Sequence, residues 1–249
     1  MNTPASDVTT EARRLLVAID VAQIPARILG GVAVGLHAHT PLPPALERKY
    51  ADIDFVVGNR REGDLQRVLV AAGYEADRKF NALYGHKRQL YWDRTNDRQL
   101  DVFVGRFAMC HALPLDGRLA DPSGTLLAAD LLLTKLQVVE LNPKDVVDAL
   151  ALIDQHSTGS EADGDVIGLD RIAAITGADW GWFTTASDTL DRLEDATGRL
   201  DPTHGDRLRS RIGEIRAAIA AAPKSVRWRA RARIGRRMPW YELPEEHVR

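Results

Sequence analysis

The sequence predicts an α+β protein in which strands and helices interleave through the first part of the chain and helices alone follow. Three observations carry that expectation. The short apolar run from Ala26 to Leu29 leads into Gly30-Gly31 and then into VAVGLHAH, the pattern of a strand, a glycine turn and a helix. Two later runs, IDFVV and LDVFV, are rich in β-branched and aromatic residues, as strands are. From residue 167 to 222 the pattern reads as helical, with Trp180, Trp182 and Phe183 as candidate core anchors.

In chain order, Leu15, Leu16, Ile19 and Ala22 recur at helical spacing from Thr10 to about Ala22, and Pro25 closes that helix. The strand at 26–29 and its glycine turn give way to a helix that reads through residue 39. Pro41, Pro43 and Pro44 make a loop, and Asp52 to Val57 is a strand. Residues 62–72 place Leu65, Val68, Leu69 and Ala72 on one helical face, with Gly73 as C-terminal cap. Strands follow near 83–92 and at 99–105. The leucine-rich block from Thr125 to Glu140 reads as a buried helix. Helix restarts in LNPKDVVDALALI, where Asn142 suits the N-cap, Pro143 the first position and Asp145 the first turn. STGSEADGDV has the composition of a linker. The expected division is therefore a first domain at 1–156, a linker at 157–166, a helical domain at 167–222 and a basic tail at 223–249.

Composition narrows the function classes. With 249 residues, 45% of them hydrophobic, the chain can bury a real core. A formal net charge of -2 argues against a general nucleic-acid coat. The single cysteine, Cys110, allows no intrachain disulfide framework and no cysteine zinc cage; it reads as a small buried apolar group in a reducing cytosol. The start of the chain lacks a basic stretch followed by an apolar segment, and no eighteen apolar residues run uninterrupted, so a cytoplasmic protein that neither enters nor crosses a membrane is expected.

The chemistry is concentrated in ADIDFVV. Side chains alternate along a strand, so Asp52 and Asp54 share one face about 6.5 to 7 Å apart while Ile53 and Phe55 take the other. Carboxylates held that way invite a divalent cation. A pair of magnesium ions about 4 Å apart, bridged by carboxylates, is the apparatus of in-line phosphoryl or nucleotidyl transfer, and a third carboxylate usually completes it. Asp101 is the later aspartate set in an apolar alternating strand. An Asp-x-Asp pair means little by itself. Its weight comes from the conjunction with Gly30-Gly31, where bare backbone N–H groups at a strand-to-helix junction can hold the phosphate oxygens of a nucleoside triphosphate.

Four motifs in order, ILGGVAVGLHAH, RKYADIDFVV, LDVFVG and TKLQVVELNPKDVVDALAL, make residues 24–155 resemble the DNA polymerase β nucleotidyltransferase superfamily in its minimal-nucleotidyltransferase branch. The stretch is most similar to the AbiEii-type toxins of toxin-antitoxin systems. The resemblance implies a mixed sheet flanked by helices, the nucleotidyltransferase fold, with Gly30 and Gly31 as phosphate turn. It implies that Asp52 and Asp54 ligate two magnesium ions and that Asp101 helps to activate the attacking hydroxyl. Lys135 matches the lysine that would contact the triphosphate, and Asp145 and Asp148 match that motif's acidic tail. The implied reaction moves a nucleoside monophosphate from a nucleoside triphosphate to an acceptor hydroxyl. By analogy with the toxins, the acceptor would be an RNA or tRNA end and a cognate antitoxin would restrain the enzyme. Two departures stand out: Gly-Gly replaces the commoner Gly-Ser, and Glu140 and Asn142 occupy the region where an arginine is expected.

Several residues keep two readings. Arg48 and Lys49, just before the aspartate strand, either meet a phosphate or solvate a loop. Lys135 is either a phosphate contact or a snorkelling surface lysine. Asp145 serves as an ordinary first-turn carboxylate; Asp148 stays open. Read on one helix, His37 and His39 fall on different sides, which speaks against a shared zinc site. The run from Lys224 to Arg237 has no acidic residue. Its Arg227, Trp228, Arg229, Arg231 and Arg233 either contact RNA through charge and stacking or form a solvated or folded-back face. Beside the nucleic-acid enzyme stand an antibiotic-type enzyme acting on a small molecule, with the helical domain as acceptor pocket, and a non-catalytic nucleotide- or RNA-binding module of the same fold.

Overall fold

The computed structural model describes residues 3–120 and 122–243. The chain forms two compact units, one from residues 1–36, 49–107 and 113–126 and the other from residues 37–48, 108–112 and 127–249.

The first unit holds a mixed sheet with helices. Helix α1 (Val8–Val21) is N-capped by Asp7, which accepts from the Thr10 amide at 2.8 Å, and buries Ala12, Leu15, Leu16 and Ile19, the face its periodicity gives. Strand β1 (Ala26–Leu29) runs straight into α2 (Gly30–Leu36). Then come β2 (Ile53–Val57), α3 (Glu62–Ala71), β3 (Glu75–Ala76), α4 (Arg78–Tyr84), β4 (Arg88–Asp93) and β5 (Arg98–Val104). Two short strands, β6 (Arg106–Ala108) and β7 (Ala112–Pro114), follow. The five-stranded sheet has the order β1-β2-β5-β4-β3, and only its β2–β5 link is parallel. Ile28, Ile53, Phe55, Leu100 and Val102 are fully buried on it.

Three expectations shift. The helix after the glycine turn stops at Leu36 and does not reach residue 39. Beyond it the amides of His39 and Thr40 both donate to Gln155 Oε1 at 2.9 Å, hydrogen bonds that take the place of the next helical turn. The strand expected near 83–92 starts at Arg88, because Asp77 caps α4 by accepting from the Phe80 amide at 3.0 Å. The leucine-rich helix α5 (Ala128–Leu136) is shorter than Thr125–Glu140, and every position in it is buried.

The second unit is mostly helical. Helix α6 (Pro143–Gln155) starts as its sequence predicts, with the Asn142 side chain accepting from the Asp145 amide at 3.0 Å. Residues 157–166 carry β8 (Thr158–Gly159) and a 3-10 turn closed by a Ser160–Asp163 capping box; β8 pairs in parallel with β9 (Ile167–Gly168). Helices α7 (Leu169–Ala178), α8 (Trp180–Thr197) and α9 (Pro202–Ala221) meet around Ile172, Ala186, Leu190, Leu208 and Ile212, all fully buried. The basic tail contains α10 (Val226–Ile234), and its last residues, 244–249, lie outside the described part. Among the described residues no helix is long and apolar enough to cross a membrane.

One buried charge anchors α1. Glu11, with no exposed surface, accepts from Arg14 at 2.7 and 2.8 Å, from the Tyr74 hydroxyl at 3.0 Å and from the Ala5 amide at 2.8 Å. Burial, and then the neighbouring Glu11 carboxylate, pushes the Tyr74 phenol far above its ordinary pKa. Glu11→Ala should cost about 3 kcal/mol, since it removes a fully buried acceptor shared by Arg14, Ala5 and the buried Tyr74 hydroxyl, whereas Tyr74→Phe should cost about 1 kcal/mol; urea unfolding of both variants checks the order.

Candidate functional site

The sequence-predicted carboxylates gather in the first unit. Asp52 is exposed just ahead of β2, and Asp54 is half-buried within it. Parallel pairing sets Asp54 in register with Asp101 of β5, while antiparallel pairing sets it opposite Leu29 at the end of β1. In-register neighbours point to the same face, so Asp54 and Asp101 emerge side by side. Gly30 follows Leu29 with φ of +71°, the left-handed region, and a Cβ built there would collide with Asp54 Oδ2. The carboxylate of Asp54 therefore lies against the bare backbone of the Gly30-Gly31 turn. Only glycine meets both demands at residue 30.

Asp101 is nearly buried and both its oxygens are engaged. Arg88 Nε donates to Oδ1 at 2.7 Å and Gln99 Nε2 to Oδ2 at 2.7 Å, while the Arg88 guanidinium also lies over the Phe103 ring, 5.2 Å from its centroid. Arg88 and Gln99 were not singled out in the sequence. A signal for Arg88 existed in the turn Arg94–Asp97: counting back from Asp93 opposite Arg98 sets Leu90 opposite Asp101 and brings Arg88 into diagonal reach.

A second group forms in the other unit. Arg48 donates to Asp148 at 2.5 and 2.7 Å, and Lys135 Nζ bridges Asp145 at 2.8 Å and Asp148 at 2.9 Å. Asp148 has no exposed surface and Lys135 is buried, so the lysine is not a snorkelling surface residue. Burial alone lowers the lysine's pKa, but the two carboxylates override that and hold it above its ordinary value. Asp145 is at once a first-turn residue of α6 and a lysine partner.

The arginines of the tail divide. Arg231 lies over the Trp180 ring, 4.7 Å from its centroid, and donates to the carbonyls of Gly235, Met238 and Pro239 at 2.6 to 3.1 Å. Trp228 packs edge-on against Phe183, ring centroids 5.2 Å apart. Both are folding contacts with α8. Arg227, Arg229 and Arg233 are exposed.

The histidines overturn the expectation drawn from a continuous helix. With α2 ended at Leu36, His37 and His39 lie in the loop and meet His156 and Asp165, with one potential ligand atom from each within 4.8 Å of the others. Burial keeps the His156 imidazole below the usual histidine pKa despite the Asp165 carboxylate beside it. His156 and Asp165 carry no local motif that ties them to His37.

No protein-family model matches the chain. No curated protein matches it either. Among solved structures it is similar to an antigenic nucleotidyltransferase-like protein from Paracoccidioides brasiliensis, at 15% sequence identity and a TM-score of 0.44, over 90% of this chain and 96% of that one.

The ion quartet predicts an order of stabilities. Asp148→Ala leaves Arg48 without its bidentate partner and Lys135 with one carboxylate, and should cost about 3 kcal/mol; Asp145→Ala, which leaves Asp148 to neutralise the lysine, should cost about 1 kcal/mol. Chemical denaturation of the two variants measures both.

Proposed function

We infer that the chain is a metal-dependent nucleotidyltransferase. One observation carries the reading: Asp54 lies against the positive-φ glycine turn on one side and in register with Asp101 on the other. Hard carboxylate oxygens on one sheet face beside a bare backbone cradle suit magnesium and the phosphates it binds. Asp52 and Asp54 would hold the metal, with Asp101 as third carboxylate. When bound, magnesium supplies charge neutralisation for the triphosphate and for the leaving pyrophosphate.

The chain's own residues do the rest. Backbone N–H groups of Gly30-Gly31 orient the triphosphate of the incoming nucleotide. The acceptor hydroxyl oxygen forms a bond to the α-phosphorus, the bond to the bridging oxygen breaks, and pyrophosphate leaves with that electron pair. Asp101 receives the hydroxyl proton; Arg88 and Gln99 fix the direction of its carboxylate until then.

For the acceptor, exposed Arg227, Arg229 and Arg233 favour an RNA end, bound through its phosphates. A second reading rests on a cavity of about 450 Å³ in the helical unit, lined by Leu46, Leu141, Val146 and Leu150 with Arg192 and Asp195, a size and lining suited to a small-molecule alcohol.

The test is purified protein with magnesium, each α-labelled nucleoside triphosphate and either total RNA or a panel of small polyols. Label on RNA, weakened at high salt and by the Arg227→Ala, Arg229→Ala, Arg233→Ala triple variant, is expected; label on a polyol instead selects the second reading. Asp54→Asn should lower transfer about a hundredfold or more without loss of fold by circular dichroism. Unchanged transfer in the Asp52→Asn, Asp54→Asn double variant overturns the mechanism.

A further inference from the structure

His37, His39, His156 and Asp165 take no part in the proposed transfer, yet one potential ligand atom from each lies within 4.8 Å of the other three. We propose that these four side chains form a structural site for a transition-metal cation, zinc first. Three imidazole nitrogens and one carboxylate oxygen are a donor set that zinc accepts and that magnesium, which prefers oxygen, does not.

The spacing fits. Ligand atoms around a tetrahedral zinc with bonds of 2.0 to 2.1 Å stand about 3.3 Å apart. Here His37 Nδ1 and His156 Nε2 are 3.0 Å apart and His39 Nε2 and Asp165 Oδ2 2.9 Å, and one donor atom from each of the four residues lies within 4.8 Å of the others. Ring centroids of His37 and His39 stand 5.0 and 5.4 Å from that of His156, so side-chain adjustment suffices to seat an ion.

The scaffold is built. His156 caps the C-terminus of α6, its amide donating to the Leu152 carbonyl at 3.1 Å, and both it and His37 are buried. Gln155, next to it, holds the loop of His39 through the two amide bonds described above. Asp165 follows the turn closed by the Ser160–Asp163 capping box. Its backbone carbonyl stands 3.5 Å from His156 Nδ1, near enough to bias which ring nitrogen carries the proton. The cation would thus tie the loop after α2, the end of α6 and the turn before β9 within one unit. Four protein ligands leave no open position, which makes the role structural rather than catalytic. His39 and Asp165, 54% and 59% exposed, give the ion a way in and a chelator a way out.

Untagged full-length protein, stripped with chelator and dialysed, is titrated with zinc alone against a chromophoric competitor, with elemental analysis and thermal unfolding in parallel. One zinc per chain and a Tm that rises with zinc are expected. His39→Ala and Asp165→Asn, whose side chains are exposed and whose loss spares the core, should each weaken binding by more than the roughly 10- to 100-fold that loss of an outer-shell partner brings. A chain that binds no zinc, or variants that bind it as wild type does, overturn the proposal. Neither result bears on the magnesium-supported transfer, which the Asp54→Asn comparison tests separately.

Discussion

The parallel pairing of β2 with β5 is the constraint on which the candidate active site depends. It sets Asp54 beside Asp101 at a strand spacing of about 4.8 Å, and like charges so placed repel each other. One neighbouring strand supplies the charge that offsets that repulsion and the other supplies space. Antiparallel β4 brings Arg88 to the Asp101 carboxylate, and antiparallel β1 delivers Gly30, whose missing Cβ makes room for Asp54.

The second unit handles charge by a different rule. Asp148 is removed from water, and a buried carboxylate is tolerable only when it is neutralised and hydrogen-bonded; Arg48 and Lys135 do both. With Asp145 the quartet balances two cations against two anions, so it exerts little field at a distance. Exposed positive charge is found elsewhere in this unit, among others on Arg227, Arg229 and Arg233 of α10, while Arg231 and Trp228 spend their side chains on α8.

Much of the local structure was legible in the residues. Asn142-Pro143 placed the start of α6, the glycine pair placed the β1–α2 junction, and the alternation in IDFVV and LDVFV placed the two central strands, because caps, turns and periodicity act over a few neighbours. Helix α4, β3 and the early end of α2 were not legible. Short elements carry weak periodic signals, and α2 ends where its loop is captured by Gln155, more than a hundred residues away in sequence.

What the sequence alone determined is therefore most of the longer elements and the positions of Asp54 and Asp101 within β2 and β5; Asp52, expected in the same strand, lies just ahead of it. Tertiary structure decided the partners: Arg88 and Gln99 on Asp101, Arg48 and Lys135 on Asp148, His156 and Asp165 beside His37 and His39. Arg48 with Asp148 and His37 with His156 join segments a hundred or more residues apart, while Arg88 with Asp101 and Lys135 with Asp148 join neighbouring elements. They are fixed by strand register and helix packing, which depend on the whole buried surface and not on any local run of residues.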